Sequence, residues 1–222
     1  MRDSLSTQIF RADGKNVFME VVNAALPIKK FQFNFIEYDP NTNKQTQRLD
    51  IYMEALRAAT LAERILNGEF NRAVMKAKKE GVMDGETIQI NDFTSYFTDM
   101  GGLSEEAVAK RFNDLHEKYP FVQQGLAVSR QLKVQAGKKS PWILRAEYGL
   151  GKSSDTGLIV PQGKPAMCIN VPMTADSFFK MAMAIKTSYQ AYMNQYYAKY
   201  ADVLFPNDRL NVYTGENNSG NR

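Results

Sequence analysis

The chain is almost without cysteine, histidine and tryptophan: among 222 residues each occurs once, as Cys168, His116 and Trp142. One cysteine excludes an internal disulfide, and one cysteine with one histidine does not furnish a Cys/His metal site. Long apolar runs are missing too. No stretch is continuously apolar over the roughly 20 residues that a membrane-spanning helix needs. Met1-Arg2-Asp3-Ser4 does not open a signal peptide. These absences lead us to expect a cytoplasmic protein in a reducing environment, with no membrane partner, no metal and no cofactor. Neither sign of charge dominates. Lys and Arg number 28 against 24 Asp and Glu, a net charge of +4 with a pI of about 9.0. That balance permits a polyanionic partner without demanding one. Hydrophobic residues make up 44 %, enough for a core.

What is present is an order of elements that occurs twice. In the first half, Lys30 to Tyr38 places an aromatic at every second position, Phe31, Phe33 and Phe35. Such alternation marks a strand with one buried face. The turn formers Asp39-Pro-Asn-Thr-Asn43 follow, then a strand over Thr46 to Ile51. Next comes a helix from about Tyr52 to Leu66, with a stripe of Ala55, Ala58, Ala59, Ala62, Ile65 and Leu66. Upstream, Gln8 to Phe10 and Val17 to Val22 read as further strands, with Asp13-Gly14 as a hairpin signal. In the second half, Gly125 to Val134 and Pro141 to Tyr148 read as strands. A Gly/Ser-rich connection over Gly149 to Gly157 follows, then the apolar segments Leu158 to Val160 and Ala166 to Val171. Thr174 caps a long helix with Asp176 in its first turn, where the helix dipole favours an acid. Phe178, Ala182, Ile185, Tyr189, Tyr192 and Tyr196 line one face of it.

The expected fold class is therefore α+β, with two antiparallel β-sheet-plus-helix half-units and the helices packed on the sheets. The boundaries are a single domain over 1–213, with half-unit one at about 5–70, a connector at about 71–120 and half-unit two at about 121–203. Within the connector, Thr87 to Phe97 reads as a short strand, Gly81 to Gly85 as a break, and Ser104 starts a helix running toward Tyr119. The polar tail 214–222 is expected to be disordered.

Two β-sheet-plus-helix units in one chain resemble the Whirly family of single-stranded DNA-binding proteins. The half-unit also resembles the coactivator positive cofactor 4 and its bacterial and phage relatives. The residues that carry the resemblance are Ile143-Leu-Arg-Ala-Glu-Tyr-Gly149, Gly163-Lys164, Met167-Cys-Ile-Asn-Val171 and the helix from Thr174. Phe35-Ile-Glu-Tyr38 and Arg48-Leu-Asp-Ile51 match more loosely. The resemblance covers about half the chain and is architectural; the Lys-Gly-Lys-Ala-Ala-Leu type of motif of plant Whirly proteins is absent. It implies sheets that present strands and loops to an extended nucleic acid, with helices behind them or at an oligomer contact.

The candidate nucleic-acid-binding residues are Lys30, Gln32, Tyr38 and Arg48 in the first half. In the second half they are Lys133, Lys138, Lys139, Trp142, Arg145, Tyr148, Lys152 and Lys164. Cations neutralise phosphates and release counterions, and aromatic rings stack on bases. Phe31, Phe33 and Phe35 are expected in the core, leaving Lys30, Gln32, Asn34, Ile36 and Tyr38 on the open face. Aligning Glu37-Tyr38 with Glu147-Tyr148 puts Trp142 and Tyr148 outward, but that turns Arg145 inward. Trp142 is thus open to both a stacking and a core role. Gly149-Leu-Gly-Lys-Ser-Ser154 lacks the first glycine of a phosphate-binding loop, since position 146 is alanine, and no helix is expected after it. No acid pair or nucleophile–base pair stands out, and His116 is expected to face water. The expectation is a non-enzymatic protein that binds single-stranded DNA, or RNA, in replication, recombination or DNA transfer. A homo-oligomer would form through the C-terminal helix. The rival reading is a structural or assembly protein of a phage or mobile element.

Overall fold

Alternation organises the first sheet. The computed structural model describes residues 7–83, 95–137 and 140–204. Strands β1 (Gln8–Asp13), β2 (Val17–Val22), β3 (Lys30–Tyr38) and β4 (Gln45–Glu54) form an antiparallel meander in the order β1-β2-β3-β4. Phe31, Phe33 and Phe35 pair with Met53, Ile51 and Leu49 of β4, while Phe33 and Phe35 also meet Val21 and Met19 of β2. All of these side chains are buried. Because side chains alternate across a strand, one register places the whole apolar set on one face. The β3–β4 turn closes on Asp39, whose carboxylate accepts from the Asn41 N–H at 2.9 Å and the Thr42 hydroxyl at 3.0 Å.

Helix α1 (Ala55–Leu66) follows β4 directly and buries Ala55, Ala58, Leu61, Ala62 and Ile65. It starts three residues later than expected. Leu49, Ile51 and Met53 keep the strand alternation running to Glu54, and the paired ladder overrides the helical pattern. Helix α2 (Glu69–Met83) comes next. The expected break near Gly81 is helical as far as Met83; the rest of it, and most of the expected Thr87–Phe97 strand, lie outside the described residues, as does the tail.

The second sheet contains β5 (Ser95–Leu103), β6 (Ala127–Ala136), β7 (Trp142–Ser153), β8 (Ile159–Pro161) and β9 (Met167–Met173), again antiparallel. Its first strand, β5, comes from the stretch read as a connector. Two Gly residues in its Asp-Met-Gly-Gly run hide the strand signal from propensity. Between β5 and β6 lie two short helices, α3 (Glu105–Ala109) and α4 (Phe112–Lys118), where one helix was expected. Strand β7 runs through the first part of the segment read as a Gly/Ser connection, as far as Ser153, and only Ser154 to Gly157 form the turn. Its edge is shared: β9 pairs with Trp142 to Tyr148, and β8 with Gly151 to Ser153. Gly149 and Gly151 are required by crowding, whereas Gly157 takes the positive φ of the turn. A Cβ on Gly151 would sit 2.8 Å from Ile159 Cγ2 and 3.0 Å from the Ser129 nitrogen; one on Gly149 would sit 3.2 Å from Pro165 Cα.

Helix α5 (Ala175–Leu204) is capped by the Thr174 hydroxyl, which accepts from the Ser177 N–H at 3.0 Å. It packs against α1, with Lys186 2.6 Å from Glu63 and the Asn23 amide donating to the Ser188 hydroxyl at 3.1 Å. Among the described residues, two antiparallel sheets and five α-helices make this an α+β protein. In each half the strands precede a helix, β1–β4 before α1 and β5–β9 before α5.

The inner faces of both sheets and the helices share one core. Trp142 and Tyr148 belong to it, at 3 % and 1 % exposure, which overturns their outward placement. Trp142 stacks on Phe178 at 4.9 Å and meets Phe70 and Tyr96 edge-on. Arg145 and Glu147 take the outer face of β7 instead, so the strand carries no inward charge. The Glu-Tyr alignment misled because β3 and β7 use opposite parity at that pair. Trp142→Ala is expected to cost about 3–5 kcal/mol of folding stability, as deletion of a large buried ring does. Denaturant unfolding checks this; an unchanged midpoint would contradict the packing.

Candidate nucleic-acid interface

Sheet edges normally expose unpaired backbone groups. Here β4, the last strand of the first sheet, and β5, the first strand of the second, line the same open cleft of about 990 Å³. Asp50 to Tyr52 and Glu54 form one side, and Asp99 to Leu103 the other. Arg130 of β6 and Tyr148 of β7 reach it from the second sheet, and Arg111, Leu115, Lys118 and Tyr119 from the α4 region.

Tyr148 ties the two sheets together at this point. Its hydroxyl donates to the Asp50 carbonyl and accepts from the Asp50 N–H at 3.1 Å. Burial pushes the Tyr148 hydroxyl well above the usual phenol range, so it remains a neutral donor. The Arg130 guanidinium lies 4.9 Å from the Tyr148 ring centroid, and its Nε is buried without a hydrogen-bond partner among the described residues.

Five cationic side chains line the cleft, Lys30, Arg57, Arg111, Lys118 and Arg130, against the three carboxylates of Asp50, Glu54 and Asp99. Arg57 is held by Asp99 and by the Thr98 carbonyl, and Lys118 lies 3.7 Å from Asp50. Burial pushes the Asp99 carboxyl up despite Arg57. Lys30, Arg111 and Arg130 make no ion pair among the described residues. Exposed apolar groups lie between the charges, Ile28, Tyr52, Met100 and Leu158. The cleft thus combines free cations with a wettable ring and aliphatic surface, which a phosphate backbone and its bases both require.

The sequence-derived candidates fall into separate places. Lys30 lies in the cleft. Gln32, Tyr38 and Arg48 sit elsewhere on the first sheet: Gln32 donates to the Asn34 side chain at 2.7 Å, Tyr38 lies beside Phe18, and Arg48 pairs with Asp50 at 2.7 Å. The face they share is less open than expected, since Asn34 and Ile36 are buried as well. Lys133, Arg145 and Lys164 line a second concavity on the outer face of the second sheet. Lys152 is exposed at the end of β7. Trp142 and Tyr148 are core residues, and Lys138 and Lys139 lie outside the described residues. His116 is exposed, with Nδ1 2.9 Å from the Val122 carbonyl and its ring stacked on Phe112.

Sequence reasoning missed Tyr52, Arg57, Arg111, Lys118 and Arg130. They come from four separate stretches of chain, and no local pattern announces their convergence. Among the described residues there is no cluster of three or more His, Cys, Asp or Glu side chains suited to a metal ion, and no helix long and apolar enough to cross a membrane. Comparison with protein-family models, curated proteins and solved structures finds no match.

On the outer face of β7, Glu147 is gripped by Lys133 at 2.5 Å and by Arg145. Burial works to raise its carboxyl, and the hydrogen bonds from Lys133 and Arg145 outweigh that, holding it below the ordinary range. The unfolded chain therefore binds this proton more readily. The resulting stability is present above about pH 4.3, the ordinary glutamate value, and is lost as pH falls through the lower native value. Asp99, shifted up, acts with the opposite sign. Glu147→Gln is expected to lower stability at neutral pH by about 1–3 kcal/mol, since two cations lose a charged partner. It should also reduce the fall in stability between about pH 5 and pH 3. Unfolding curves at stepped pH measure both; an acid limb of unchanged slope would refute the assignment.

Proposed function

We propose that this chain is a non-enzymatic single-stranded nucleic-acid-binding protein, with DNA as the preferred partner and the cleft between β4 and β5 as the binding path. One observation carries the reading: free cations, Lys30, Arg111 and Arg130, converge with exposed Tyr52, Met100 and Leu158 along a groove between two sheet edges. A duplex presents its phosphates on a wide cylinder with its bases stacked inside. An extended strand offers both phosphates and base faces to an open groove. The strands-then-helix order in each half supports a Whirly-like duplication. Coating transient single strands in replication, recombination or transfer is the role that follows, in the cytoplasm of a cell or for a phage or mobile element.

The test is an anisotropy titration against single-stranded DNA, duplex DNA and RNA at two salt concentrations. Lys30→Ala with Arg111→Ala should weaken single-strand binding. Each cation lost should flatten the dependence of log affinity on log salt by about 0.7. Both residues are exposed, so the melting temperature should not move. Tyr52→Ala should weaken binding by about 1–3 kcal/mol if its ring stacks on a base. Absence of any single-strand binding at low salt would sink the proposal, and equal affinity for duplex would remove the single-strand preference.

A second reading is favoured by one feature of α5. Phe179 and Met183, one helical turn apart, are 49 % and 45 % exposed, and Tyr197 falls on the same stripe at 46 %. Such a face suits assembly of several copies through α5, for strand coating or for a structural role. Phe179→Glu with Met183→Glu should lower the mass measured by light scattering. A wild-type protein that is monomeric at high concentration would refute this assembly.

A further inference from the structure

The outer face of the second sheet carries a second site, separate from the cleft. A trough of about 550 Å³ runs over β6 and β7 and is overhung by the loop from Pro161 to Pro165. Four charged side chains line it, Lys133, Arg145, Lys164 and Glu147, leaving an excess of two positive charges. Glu147 holds Lys133 and Arg145 side by side, and each cation keeps further N–H donors that the carboxylate does not use. Lys164, on the overhanging loop, is exposed and has no ion pair among the described residues.

The second observation concerns neutral groups. Ser129 and Gln131 stand on the outer face of β6, opposite Gly149 and Glu147, and are only 2 % and 4 % exposed. Neither side chain has a hydrogen-bond partner among the described residues. Buried polar side chains are normally satisfied. These two line the trough, and their polar atoms are not fully buried. Gly149 leaves the floor beside Ser129 bare, and the prolines and Leu150 supply an apolar wall.

We propose that this trough binds a phosphate monoester carried on a nucleoside-sized body. A monoester bears about −1.5 to −2 charges near neutrality, which matches the excess of two cations; an internal phosphodiester carries one. Arg and Lys supply charged donors, Ser129 and Gln131 supply neutral ones, and the volume exceeds what a bare phosphate would fill. Two sources share this chemistry, a free nucleoside monophosphate and the 5′-phosphorylated end of a DNA strand. The strand-end source rests on the function proposed above; the site itself does not.

The experiment is calorimetric titration of the full chain with adenosine 5′-monophosphate, and with adenosine as the control. The monophosphate should bind and adenosine should not. Lys164→Ala should weaken the monophosphate about tenfold, as loss of one charged hydrogen bond does. Because Lys164 is exposed, thermal stability should stay unchanged. Ser129→Ala is the second variant and should weaken the same ligand without altering the salt dependence. Matched 5′-phosphorylated and 5′-hydroxyl oligonucleotides separate the sources. A preference for the phosphorylated end that Lys164→Ala abolishes assigns the site to strand ends; monophosphate binding with equal affinity for the two oligonucleotides assigns it to free nucleotides. A monophosphate that binds no better than adenosine, or that binds the Lys164→Ala and Ser129→Ala variants as tightly as it binds the wild type, overturns the proposal. Oligonucleotide binding through the cleft would survive that result, so the two readings fail separately.

Discussion

The two faces of β7 determine most of what this molecule can do. A strand has a side-chain period of two, so Trp142, Leu144, Ala146 and Tyr148 must share one side and Arg145 and Glu147 the other. The first set enters a core that also receives the inner face of the first sheet and the helices α1 and α5. Reversing the strand would turn an arginine and a glutamate into the apolar core while exposing the one tryptophan, a costly exchange. With that parity established, Tyr148 reaches the Asp50 backbone and locks the second sheet to the edge of the first.

Both candidate sites are consequences of this lock. Joining β7 to β4 brings two sheet edges to one cleft, with Arg130 and Tyr148 between them. The outward residues of the same strand form the floor of the trough, with the Glu147 carboxylate spacing Lys133 and Arg145. One strand thus supplies a neutral hydrogen-bonding tyrosine to the first site and an ion-paired set to the second. Gly149 and Gly151 allow the Pro161–Pro165 loop and β8 to lie close over it, which gives the trough a roof.

The core of the first half was readable because its period is unambiguous. Phe31, Phe33 and Phe35 have one sensible face, and the Ala-rich stripe of α1 has another. The second half was harder to read for two local reasons. Gly102 of β5 and Gly149 and Gly151 of β7 have low strand propensity, yet they sit in paired strands where neighbouring backbone comes too close for a side chain. The repeated Glu-Tyr pair suggested equal parity in β3 and β7, whereas alternation puts Glu37 on the face of Phe31, Phe33 and Phe35 and Glu147 on the face opposite Trp142, Leu144 and Tyr148. The candidate cations are scattered as a geometry: Lys30 in the cleft, Arg48 paired with Asp50, and Lys133, Arg145 and Lys164 in the trough.

By itself the sequence determined the α+β class, the strands-before-helix order of each half and the burial of the Phe strand. These follow from periodicity and capping, which act over a few residues. Only the tertiary structure decided which face of β7 is inside, that β5 completes the second sheet, and that Tyr52, Arg57, Arg111 and Arg130 meet across one cleft. Those outcomes depend on contacts between residues far apart in the chain, as between Asp50 and Tyr148. No local pattern encodes such a meeting, because it is set by how whole sheets pack their apolar faces.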